Sequence, residues 1–116
     1  MSWGNAENLT DAEALKLYQN DPKMKSDFVE LISVLMTMEG KTRKELAEAA
    51  SVSKQTICNI IHQYVNINVP WVYFLCHFVE IDFPWLIEVL YNSDLPVRST
   101  ALYLMYHPMR GVTINA

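Results

Sequence analysis

An all-α fold is predicted by three features of the 116-residue sequence. Apolar side chains recur at helical spacing, capping residues stand ahead of those stripes, and Gly, Pro or Ser breaks follow them. Weak alternation occurs at Val112 to Ile114, which suits a short strand or a loose tail. With 51% hydrophobic residues and 19% charged, the chain has the size and composition of one ordinary globular core. Three Gly and five Pro among well-spread apolar residues exclude a disordered or collagen-like chain.

The elements follow in order. Thr10 and Glu13 form a capping box for a short first helix to about Gln19. Asp21 and Pro22 supply an N-cap and N1 pair for a second helix. Its stripe of Met24, Phe28, Leu31, Ile32 and Leu35 ends at Gly40, a natural left-handed stop. Thr42 and Glu45 make the strongest capping box, opening a short helix, Arg43 to Ala50, with Leu46, Ala47 and Ala50 facing inward. Ser51, Val52 and Ser53 break it, and Ser53 caps a helix from Lys54 to about Gln63 with Ile57, Ile60 and Ile61 on one side. A linker, Tyr64 to Asn68, leads to a helix from about Pro70 to Val79. Asp82 and Pro84 start another to about Tyr91, and Leu95 to Tyr106 forms the last, which Pro108 stops.

Two short helices across a three-residue break have the proportions of a helix-turn-helix. The segment from Thr42 to Ile61, TRKELAEAASVSKQTICNII, resembles the XRE family of DNA-binding domains, which includes the phage lambda repressor and Cro. The resemblance extends over residues 26 to 91, with Phe28 to Met38 like the family's first helix and Pro70 to Glu80 and Pro84 to Leu90 like its fourth and fifth. Three positions depart from it. Ser51 stands where the family usually has a turn Gly, Gln63 where Gly often follows the recognition helix, and Arg43 where Gln is common. The resemblance implies a lambda-repressor-like five-helix domain, plus a short N-terminal helix and a C-terminal helix and tail. It also implies sequence-specific binding to a double-stranded DNA operator and transcriptional control, by repression above all.

The residues agree in kind. At 100° per residue the three isoleucines of the second short helix oppose Gln55, Asn59 and His62, with Thr56, Cys58 and Gln63 flanking. Gln and Asn can pair bidentately with adenine, and Thr can meet a polar edge or a thymine methyl. Gln55, Thr56, Asn59 and His62 are therefore the candidate base-reading residues, although a polar helix face is also what water alone requires. The overall charge of −4 excludes a general cationic nucleic-acid glue. Residues 41 to 63 nevertheless carry Lys41, Arg43, Lys44 and Lys54 against Glu45 and Glu48, a local +2 that leaves −6 elsewhere. These four bases are the candidate phosphate-binding residues, Lys41, Arg43 and Lys44 lying where a helix N-terminus favours an anion.

Ten of the thirteen aromatic residues fall between residues 64 and 106, more than one small core needs. Trp71, Phe74, Leu95, Leu102, Met105 and Tyr106 are the candidate dimerisation residues, on the expectation that a second copy covers part of this apolar half. A wholly internal core is the alternative. The domain division expected is an N-terminal extension over 1–25, the DNA-binding domain over 26–91 and a dimerising helix and tail over 92–116. A rival function is a protein-interaction module of the antitoxin or phage anti-repressor type, whose apolar C-terminal half binds a toxin or a repressor.

Other chemistries have less support. The greasy stretch Val69 to Tyr91 contains Glu80, Asp82 and Glu88, and an acid near a bilayer centre costs about 2.5–3.5 kcal/mol, so no membrane span is expected. Cys58 and Cys76 cannot make a disulfide framework, and the N-terminus lacks a basic start and an apolar run, which points to the reducing cytoplasm. Cys58 and His62, four residues apart, could share a metal with Cys76 or His77, but no third ligand cluster accompanies them. No Gly-rich phosphate loop, nucleophile elbow or zincin motif occurs, so neither enzymatic activity nor a cofactor is expected.

Overall fold

The structure is a computed structural model in which residues 9–62 and 67–108 are described. The proposed helix end at Gln63, most of the expected linker and the alternating stretch Val112 to Ile114 lie outside these residues. The described chain forms seven helices: α1 (Asp11–Asn20), α2 (Pro22–Met38), α3 (Arg43–Ala50), α4 (Lys54–Ile61), α5 (Val69–Phe78), α6 (Phe83–Asn92) and α7 (Val97–Tyr106). No strand occurs among the described residues, so the chain is all-α there.

Local chemistry sets the helix starts. Thr10 and Glu13 cap α1 reciprocally, and Thr42 and Glu45 do the same for α3. Asp21, Ser53, Asn68 and Asp82 each accept a backbone N–H in the first turn of the helix that follows. Three helices end in the same two-bond closure around a left-handed residue. At Gly40 (φ 72°) the closing bonds run from Gly40 N–H to Thr37 O and from Lys41 N–H to Met36 O. Ser51 (φ 57°) and Glu80 (φ 59°) repeat the pattern after α3 and α5. Neither is glycine, so each carries left-handed strain of about 1 kcal/mol.

A single apolar cluster joins all seven helices. Phe28, Leu31, Ile32 and Leu35 of α2 form its axis, met by Leu46, Ile57, Val72, Leu86, Ile87 and Leu104 from the other elements. Helix α1, expected as an extension, belongs to this core: it packs on α6 and α2, and buries Ala14 and Tyr18. The Tyr18 ring meets Phe28 edge-on at 5.4 Å, and the Leu9 N–H donates to Glu88 Oε1 at 3.2 Å. Helix α7 likewise packs on α2 and α6 through Thr100, Ala101 and Leu104. It begins at Val97, two residues later than expected, because Pro96 stands as its N-cap.

Candidate nucleic-acid interface

Helix α3 buries only Leu46 and Ala47, and α4 buries Ile57 and Ile60. The small Ala47 and the half-buried Val52 bring the two helices together. Val52 N–H donates to Ala47 O at 3.0 Å, while the left-handed Ser51 turns the chain between them. Ser51 thus adopts the conformation for which a glycine would be the low-strain choice. The Ser53 hydroxyl accepts from Thr56 N–H at 3.1 Å and fixes the first turn of α4.

With the isoleucine side of α4 buried, its other side is open. Gln55 is exposed and Asn59 half-buried, and the two amides are joined, Gln55 Nε2 donating to Asn59 Oδ1 at 2.9 Å. This bond holds both side chains to one stretch of surface while leaving the remaining amide oxygen and N–H groups for other partners. The Thr56 hydroxyl lies 3.0 Å from Ser53 Oγ, so its polar end is engaged within the helix cap. His62 is exposed just beyond the last helical residue, as the C-cap of α4.

The four candidate cations do not act alike. Lys44 and Lys54 are exposed at the N-terminal turns of α3 and α4. Arg43 is half-buried and reaches across to α4, where Nη1 stands 4.0 Å from Cys58 Sγ. Its guanidinium is therefore held beside the open face of α4. Lys41 takes a different direction: Nζ donates to Phe78 O at the end of α5 and stands 5.1 Å from the centre of the Phe78 ring. Glu39 and Glu80 flank the same ammonium at 3.8 Å and 3.6 Å. Lys41 ties the loop before α3 to the turn after α5, and burial outweighs its attraction for Glu39, whose carboxyl pKa is raised.

No family model, curated protein or solved structure matches this chain.

Among the candidate dimerisation residues, Trp71 and Phe74 are half-buried within the chain, packed edge-on at 5.7 Å. Leu95, Leu102, Met105 and Tyr106 are exposed, at 63%, 50%, 37% and 57%. Buried Cys76 has its thiol pKa pushed up by desolvation, as suits an inert core thiol, and Cys58 is half-buried on α4. No three His, Cys, Asp or Glu side chains converge as metal ligands among the described residues. No helix among them is long and apolar enough to cross a membrane. Sequence reasoning missed the Lys41 contact with α5, the reach of Arg43 to Cys58 and the burial of Glu88. Only the near-continuous apolar run of α6 could have flagged the last, since Glu88 falls between Ile87 and Val89 in a helix buried on most sides.

Proposed function

We propose that α3 and α4 serve as a helix-turn-helix of the lambda-repressor type, and that the chain is a sequence-specific DNA-binding transcriptional regulator, a repressor above all. The observation that carries this reading is the bonded Gln55–Asn59 pair on the side of α4 opposite its buried isoleucines. Two amides held together offer donors and acceptors in fixed relation, which suits the hydrogen-bonding edge of a base pair in the major groove. Arg43, Lys44 and Lys54 stand around that face and are suited to the flanking phosphates. Thr56 offers its methyl more readily than its engaged hydroxyl, and His62 lies at the edge. Lys41, given over to the Phe78 carbonyl, holds the pair in position and contributes to phosphate binding only through its field.

Two copies reading successive major grooves would give a twofold site, and the exposed row Leu95, Leu102, Met105 and Tyr106 is the surface available for pairing. The same row supports a second reading, a protein-interaction module that binds a toxin or repressor there. The acidic balance outside residues 41 to 63 favours it by weakening general attraction to DNA.

Selection of bound sequences from a random DNA pool tests the first reading. A palindromic motif is the expected product. Gln55→Ala or Asn59→Ala is expected to cost about 1–3 kcal/mol of affinity and relax one base preference, with unchanged thermal stability. Absence of any enriched sequence at low salt, with the chain folded, overturns DNA reading and leaves the interaction module.

A further inference from the structure

Helix α7 covers the core with one side and leaves the other open. It buries Thr100, Ala101 and Leu104. At 100° per residue the opposite side carries Arg98, Leu102 and Tyr106, each four positions from the next. Arg98 is exposed, and Leu102 and Tyr106 are exposed by half or more. Tyr103 and Met105 flank this row, and Leu95 stands ahead of the helix. The exposed large hydrophobics among the described residues are thus gathered on one segment, with Tyr73 the exception.

Area and charge both suit a second copy of this chain as the cover. At about 200 Å² for a large side chain, Leu95, Leu102, Tyr103, Met105 and Tyr106 leave about 500 Å² open on one molecule. Two copies meeting there bury about 1,000 Å², which reaches the lower limit of a specific interface before the aliphatic stem of Arg98 adds to it. Helix α7 holds a single charged residue, Arg98, in a chain whose net charge is −4. Little like charge is therefore brought together when this face meets itself.

A twofold contact requires every residue of the row to find a compatible mate on the same row. We propose that α7 pairs antiparallel with α7 of a second copy, about a twofold axis at Leu102. Leu102 then meets its own copy, and Arg98 meets the partner's Tyr106, a cation against an aromatic ring, twice. A rise of 1.5 Å per residue sets the two Arg98 positions about 12 Å apart along the axis, far enough for salt to screen them. An axis one turn earlier, at Arg98, would press two guanidiniums together. The proposal rests on the twofold reading given above and supplies its partner and its register.

The row is open in a single copy, so unfolding of the dilute chain does not report on pairing, and association is measured directly. Sedimentation equilibrium of the full chain without DNA is expected to show a reversible monomer–dimer equilibrium at micromolar concentration. Leu102→Glu, at a half-exposed position, is expected to keep the helical spectrum and raise the dissociation constant at least tenfold. Under mild oxidation Leu102→Cys is expected to form a linked dimer, because the twofold axis brings it within disulfide reach of its copy. Arg98→Cys is held too far from its copy to link, and the wild type, with Cys58 and Cys76, supplies the background. A monomer at every concentration gives the row to a different protein and overturns the proposal. So does an equilibrium unmoved by Leu102→Glu, or linkage of Arg98→Cys as readily as of Leu102→Cys. None of these measurements uses DNA, so their failure leaves DNA reading to the random-pool selection, and an empty selection leaves the pairing intact.

Discussion

Helices α3 and α4 each bury two side chains and owe their geometry to their ends: a capping box at Thr42, a left-handed Ser51 and a hydroxyl cap at Ser53. Helix α6, by contrast, buries Phe83, Pro84 and every residue from Leu86 to Leu90, and α5 adds Val72, Leu75 and Cys76. The first region is shaped by directional bonds and leaves most of its surface unburied. The second is shaped by apolar burial, and a polar group inside it is the exception. A helix pair with so little buried area has no reserve of its own, so its position depends on the rest of the core through Leu46, Ile57 and the Lys41 tie.

Substitution can break this contrast. Ile57→Ala, at a fully buried site of α4, is expected to remove about 2–5 kcal/mol of unfolding free energy, measured by urea denaturation. Leu102→Ala, on the half-exposed side of α7, should change stability by no more than about 0.5 kcal/mol. Equal losses would mean that the Leu102 side chain is as deeply seated as that of Ile57.

The next effect concerns the tie between the regions. Lys41→Met leaves the Phe78 carbonyl without its charged donor and is expected to cost about 1–3 kcal/mol in stability. Lys44→Ala should leave stability nearly unchanged and reduce the salt slope of DNA binding by about one unit, alike for all sequences. Thermal melts and salt titrations of the two variants test whether Lys41 is structural and whether Lys44 binds phosphate as proposed.

Smaller effects sharpen the comparison of helix ends. Ser51→Gly is expected to stabilise the chain by up to about 1 kcal/mol, because its left-handed φ suits glycine. Glu80→Gly relieves the same strain but gives up a carboxylate 3.6 Å from Lys41, so its gain in melting temperature should be the lesser. Finally, burial raises the Tyr18 hydroxyl from 10.0 to about 12. Its contribution is complete below pH 10 and is lost as pH rises towards about 12, because the unfolded chain releases the proton first. Chemical denaturation of the wild type and Tyr18→Phe should therefore diverge in slope only in that alkaline window.

The helices were legible in the sequence because their signals are local. Thr42 and Glu45, Ser53, and Asp21 before Pro22 lie within three residues of the groups they cap, and the stripe from Met24 to Leu35 needs only helical period. The open face of α4 was legible for the same reason. Its internal bond between Gln55 and Asn59 was not, since spacing permits that bond without requiring it. Long-range pairing was hidden altogether. Leu9 and Glu88 are 79 positions apart, and Lys41 and Phe78 are 37 apart, so no period or cap connects them. That is why α1 read as an extension and Lys41 as one more surface cation.

The seat of Lys41 has a practical consequence for chemical footprinting. Its ammonium is crowded by a carbonyl, an aromatic ring and two carboxylates, and only 24% of its side chain meets solvent. Lys44 and Lys54 stand in the open. A limiting dose of an acylating reagent should therefore modify the latter two first, so protection of those amines by a bound duplex can be scored against Lys41 as a built-in reference within each molecule.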